Sequence, residues 1–243
     1  MLPRSLRLGS KMNRGISLKR MPVARLVAVI ASRDALTRAR HLRVLPDFFE
    51  LRLDAFQYSL GQVTANISQL RAPLILTARH PEEGGLGKLS LATRRALLSR
   101  FLDSAALVDL ELRSLRQEKK LIAELQRRKI GLLISSHNFG AVPTLGEMHR
   151  LTRRAIPFQP AIFKLVTRTD TVLDFNRLAT FLVQAHHYPF PIAVMGVGKL
   201  GRFSRRQFDR AGSALTYVSL GEANVEGQLS LGQLRRARRA YNK

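Results

Sequence analysis

The sequence predicts an α/β fold in a single domain, a (β/α)8 barrel of the TIM type, on three observations. Eight short apolar runs recur along the chain, helix-period segments separate them, and no glycine-rich phosphate loop follows the first run. Strand, helix, strand in repetition means parallel strands joined by crossover helices. Eight such units in about 220 residues fall just short of the ~250 typical of a closed barrel. A doubly wound open sheet is the alternative, and the missing phosphate loop leaves it without support.

The runs are 25–31 (RLVAVIA), 48–53 (FFELRL), 73–77 (PLILT), 106–112 (ALVDLEL), 131–135 (GLLIS), 161–166 (AIFKLV), 191–195 (PIAVM) and 214–218 (ALTYV). Helix-period segments over 91–103, 114–128, 144–155 and 171–186 lie between them. In a barrel of this kind the chemistry belongs at the C-terminal ends of the strands.

Each strand end can be taken in turn. The second run sets Glu50, Arg52 and Asp54 at period two, hence on one side. That side is a solvated face on a half-buried strand, or a paired polar network inside a barrel. The third run ends in Thr77-Ala78-Arg79 and enters HPEEGG, 80–85. Its glycines admit close backbone approach and Arg79 suits a hydroxyl or carboxylate, although a plain surface turn has the same pattern. The fourth run places Asp109 and Glu111 on one side.

The fifth run leads into SSHNF, where the strand-end position of His137 favours catalysis over a structural role. His80, His149, His186 and His187 lack that position, and no His/Asp/Glu set has metal-site spacing. The sixth run carries Lys164 within apolar sequence. A buried ammonium is costly unless it is paired or loses its proton. Desolvation beside other cations yields a neutral amine able to attack a carbonyl. A lysine snorkelling from a strand end is the competing reading. GVGKLGRFSR, 196–205, follows the seventh run and suits either an anion clamp or a tight helix entry. SLGEANVEGQLS, 219–230, follows the eighth and has the length of a lid.

Composition narrows the classes. With no cysteine among 243 residues, a disulfide framework, a thiolate nucleophile and a Cys-based zinc site are excluded. That fits a reducing compartment, and a cytoplasmic location is expected. No apolar run approaches the roughly 18–20 residues a membrane span needs. The net charge of +24 raises the question of nucleic acid, but residues 1–25 and 231–243 supply 12 of it without a single acid. A charge concentrated in the ends says little about the site, and no aromatic-rich RNA signature accompanies it. Residues 1–22 are expected to form a basic, disordered extension outside the fold, either an organellar presequence or an over-extended start, with 23–243 as the barrel.

Seven elements in order, ELRLD, TAR with EEGG, VDLEL, SSHNF, FKL, MGVGKLGRFSR and EGQ, resemble the type I 3-dehydroquinate dehydratases of the shikimate pathway. The resemblance spans about 25–235 and implies a (β/α)8 barrel, a homodimer, and action on 3-dehydroquinate without metal or organic cofactor. It implies that Lys164 forms an imine with the substrate ketone and that His137 moves the proton and protonates the departing hydroxyl. By the same resemblance Glu83 orients His137, and Arg205 clamps the substrate carboxylate. Glu50, Arg52 and Arg79 take the ring hydroxyls, while Asn224 and Gln228 act from the lid. The lid departs from the family pattern, with Asn224 for a small hydroxyl residue and Glu226 for a proline. Another Schiff-base barrel such as an aldolase would also need Lys164, and a basic nucleic-acid-binding barrel would not.

Overall fold

The computed structural model describes residues 23–241, so the basic extension over 1–22 lies outside the described residues. Eight parallel strands follow the predicted runs: β1 (Arg25–Ile30), β2 (Phe48–Arg52), β3 (Leu74–Thr77), β4 (Ala105–Glu111), β5 (Gly131–Asn138), β6 (Ile162–Arg168), β7 (Ile192–Val197) and β8 (Leu215–Ser219). A two-residue β9 (Leu229–Ser230) adds to β8 within the last loop. The sheet order is β7-β6-β5-β4-β3-β2-β1-β8-β9, so sequence neighbours pair and β8 returns to β1.

The sheet curls until β7 meets β8, where the ladder is interrupted. Across this seam the Ala214 N–H donates to the Ile192 carbonyl at 2.8 Å. The buried Ser213 hydroxyl accepts from the Val194 N–H at 3.0 Å. A side chain thus replaces a ladder bond, and the eight units form the barrel that the alternation of runs predicts.

The crossover helices are α1 (Arg33–Arg40), α2 (Leu60–Asn66), α3 (Leu91–Arg100), α4 (Lys119–Arg127), α5 (Leu145–Ala155), α6 (Val172–Gln184), α7 (Gly201–Phe208) and α8 (Leu231–Ala240). Capping boxes, Thr144 with Glu147, Thr171 with Asp174 and Ser230 with Gln233, start α5, α6 and α8 by satisfying end N–H groups. Residues 114–118 are not helical, unlike the expected 114–128. They form turns closed by bonds such as Ser114 N–H to Glu111 O, and α4 begins only at Lys119.

Period two along the strands divides the apolar residues into two cores. Outward side chains such as Ala28, Phe49, Leu51, Leu76 and Phe163 pack beneath the helices. Inward ones, including Val27, Ile75, Leu107, Leu133, Ile162 and Leu215, fill the lower barrel. Above them the interior turns polar, with Glu50, Thr77, Asp109, Glu111, Ser135 and Lys164 all buried. β5 runs to Asn138, three residues beyond its expected end, because the pairs Ser136↔Leu165, His137↔Val166 and Asn138↔Thr167 extend its register with β6.

Candidate active site

Lys164 stands opposite Ser135 in the β5–β6 register, and His137 stands one period higher. Period two therefore points both side chains into the barrel, the histidine above the lysine. The lysine is not snorkelling. Its Nζ is 2.6 Å from Asp109 Oδ2 and 3.8 Å from Glu50 Oε1, with the Tyr217 ring centroid 4.6 Å away. Burial pulls its pKa below the ordinary lysine value, while the Asp109 carboxylate pulls it back upward. The amine is thus desolvated without leaving an uncompensated charge.

Asp109 anchors this floor. It accepts Arg79 Nη2 at 2.6 Å and Nη1 at 3.2 Å, and the Ser135 hydroxyl at 2.5 Å. Burial disfavours its ionised form, yet Arg79 and Lys164 hold its carboxyl well below the usual range. Arg79 also reaches Glu111 at 3.1 Å, and Arg94 from α3 binds the other Glu111 oxygen at 2.8 Å. Three cations (Arg79, Arg94, Lys164) thus meet three carboxylates (Glu50, Asp109, Glu111) in a buried network with balanced charge. Such a network is tolerated inside a protein because every member has a partner.

Glu83 enters on the turn after β3. The left-handed Gly84 (φ 84°) closes the Pro81–Glu83 turn and leaves Glu83 buried. Its Oε2 accepts both the backbone N–H of His137 at 3.0 Å and lies 2.9 Å from the ring Nδ1. Burial raises the Glu83 carboxyl to about 7, with the Glu111 charge adding to the effect. Burial and the nearby Arg79 and Lys164 hold His137 well below its ordinary value. One proton shared along Nδ1–Oε2 leaves Nε2 as the free ring nitrogen.

The mouth is completed from the seam strands. Arg205, on α7, is buried and forms no ion pair among the described residues. It donates to the Gly196 carbonyl from Nε and to the Tyr217 carbonyl from Nη1, both at 3.1 Å. Burial alone lowers it to about 10. At the opposite rim Arg52 grips Asp54 through two bonds, at 2.7 and 3.0 Å, and donates to the Gly84 carbonyl at 3.0 Å. Asp54 lies in the turn after β2, buried, and not on the strand.

In the last loop, Gln228 Oε1 accepts from Asn224 N at 2.7 Å and Nδ2 at 3.2 Å, which folds the segment on itself. Glu226 points outward, 3.5 Å from Arg168, while its carbonyl accepts from Gly198. Gly227 (φ 79°) presses on the start of α7, where an added Cβ would lie 2.7 Å from the Cα of Gly201. The lid therefore rests over the mouth with no room for a side chain at that contact.

Many of these residues line a single cleft that is open to solvent. All nine residues selected from the sequence, Glu50, Arg52, Arg79, Glu83, His137, Lys164, Arg205, Asn224 and Gln228, border it. Sequence reasoning passed over Asp109 as a partner of Lys164 and did not select Tyr217. The period-two pattern in VDLEL signalled the first, and an aromatic at an inward position of ALTYV signalled the second. Among the described residues no group of three or more His, Asp or Glu side chains forms a metal-binding set, and no helix is long and apolar enough to cross a membrane.

Residues 26–243 match the family model for Type I 3-dehydroquinase. The chain belongs to the type I 3-dehydroquinase family. It is 31% identical to the 3-dehydroquinate dehydratase of Pyrococcus abyssi, over 78% of this chain and 85% of that one. The dehydratase of Thermococcus gammatolerans is 28% identical over 88% of this chain and 95% of its own. The solved structure of the Geobacillus kaustophilus 3-dehydroquinate dehydratase superposes with a TM-score of 0.81 at 24% identity. That match covers 90% and 91% of the two chains and confirms the barrel. The enzyme is a hydro-lyase that removes water from 3-dehydroquinate, the shikimate-pathway step expected from its motifs. Family membership also sets aside the aldolase.

Proposed function

We propose that the elimination proceeds through an imine on Lys164, with His137 as acid and base and Glu83 as its orienting partner. The observation that carries this reading is a single cleft holding a buried amine of lowered pKa, a carboxylate-bound imidazole above it and an arginine without a carboxylate partner.

Attack of the neutral amine on the ketone, uptake of one proton from solvent and loss of water give a protonated imine. The imine acts as an electron sink, so the adjacent C–H becomes acidic and an enamine can form. With Glu83 ionised and accepting Nδ1–H, the bare Nε2 of His137 takes that proton. The resulting imidazolium passes a proton to the hydroxyl leaving from the carbon beyond, and hydrolysis of the imine releases 3-dehydroshikimate. Arg205 takes the substrate carboxylate, which supplies the anion its buried guanidinium lacks. Glu50, Arg52 and Arg79 take the ring hydroxyls, Arg79 with the donors its carboxylates leave. Asn224 and Gln228 close the lid.

The test is borohydride reduction in the presence of 3-dehydroquinate, followed by mass spectrometry of the peptide carrying Lys164. A reduced adduct there is expected. Lys164→Ala is expected to lose it together with at least about 10³-fold in turnover. Substantial turnover in that variant would sink the imine.

The same reading takes the enzyme to be a cytoplasmic homodimer working without metal or organic cofactor. Val172, Leu173 and Phe203 stand exposed on α6 and α7, the kind of apolar face a second copy would cover. A solution mass equal to one chain at assay concentration would remove the dimer.

A further inference from the structure

Among the described residues that line the cleft, Tyr217 carries a fully buried polar atom with no partner. It occupies the middle of β8, pointing inward between Leu215 and Ser219, and is 5% exposed. Its hydroxyl is buried and has no hydrogen-bond partner. The ring lies against the Lys164 ammonium, 4.6 Å from centroid to Nζ. Arg205 holds the backbone from above through the Tyr217 carbonyl, at 3.1 Å.

Two neighbouring acceptors are already engaged. Asp109 Oδ2 receives Arg79 and Lys164, and Glu50 Oε1 receives the Thr77 hydroxyl at 2.9 Å. Burial raises the phenol well above its ordinary pKa, and the charges of Glu50 and Asp109 raise it further, so it remains a neutral O–H donor. Phenylalanine would fill the same space without an unpaired hydroxyl, so the oxygen is retained at a cost to stability. A group kept in that condition beside the reacting amine awaits a partner brought by the substrate.

We propose that the Tyr217 hydroxyl donates a hydrogen bond to the ketone oxygen of 3-dehydroquinate while Lys164 adds to it. This rests on the imine reading above. As the nitrogen bonds to the carbonyl carbon, the C=O pair moves onto oxygen, which gains a proton as the nitrogen loses one. That oxygen takes a second proton from solvent and departs as water when the protonated C=N forms. Tyr217 stabilises the charge building on the oxygen and keeps its own proton throughout.

Tyr217→Phe isolates the hydroxyl, since the ring and its contact with Lys164 remain. Three quantities are measured on the full-length enzyme: melting temperature, kcat/KM, and the rate at which borohydride captures the Lys164 adduct. The expected result is an unchanged or higher melting temperature, with capture and kcat/KM each about tenfold slower, the scale of one hydrogen bond. A merely structural hydroxyl would lower the melting temperature instead, and that outcome overturns the proposal. Capture at the wild-type rate in the variant overturns it too while leaving the imine reading intact. Turnover without any adduct in either protein overturns the imine reading and this proposal together.

Discussion

The lower and upper halves of the barrel interior are built from the same strands and the same alternation, yet they solve opposite problems. Below, Val27, Ile75, Leu107, Leu133, Ile162 and Leu215 meet in a dry core with nothing to pair. Two residues further along several of these strands, Asp109, Ser135, Lys164 and Tyr217 replace them. The lower half stabilises the fold. The upper half holds charges whose pairing limits their cost but does not convert them into stability. Stability and chemistry are thus separated along the barrel axis, and each can be disturbed alone.

After loss of Lys164 itself, the next largest effect is expected from Glu83→Gln, which leaves the lower half untouched. Turnover should fall about 10²-fold, because the amide cannot support the imidazolium formed in proton transfer. Stability should move the other way. Burial raises the Glu83 carboxyl from its ordinary 4.5 to about 7, so its contribution is fully present below about 4.5 and is lost as pH rises through about 7. The wild type should lose up to about 3 kcal/mol across that window from this group. Urea unfolding at a series of pH values should show that slope in the wild type and a flatter one in the glutamine variant. Equal slopes would mean that Glu83 titrates normally.

Leu133→Ala makes the complementary break. Truncating this fully buried side chain in the lower half should cost about 2–5 kcal/mol. The kcat per folded molecule should stay within a few-fold of wild type. A collapse of kcat without a loss of stability would show that the two halves are not separable.

Much of this division was legible in the sequence because it follows from period two. VDLEL, AIFKLV and the strand part of ELRLD set their charges at period two, so the alternation was readable, although for Glu50 and Arg52 the side it faced was left open. What remained hidden depends on pairing through space. Nothing in TAR says that Arg79 turns most of its donors to Asp109, Glu111 and Ser135, residues on two other strands. The turn at 114–118 was hidden for a related reason. Its periodicity is helical, but Glu118 is drawn to Arg95 at 2.7 Å and the helix starts after it. The seam at Ser213 has no sequence pattern at all.

That seam gives Arg205 a second identity. One nitrogen of its guanidinium holds the Gly196 carbonyl of β7 and another holds the Tyr217 carbonyl of β8. Where the strands share no ladder, this side chain is a clasp at the mouth, as Ser213 is lower down. A substrate carboxylate gripped by the same guanidinium would become part of the clasp. Ligand binding would then fasten the hoop of the barrel, and the enzyme should be mechanically tightest when its cleft is full.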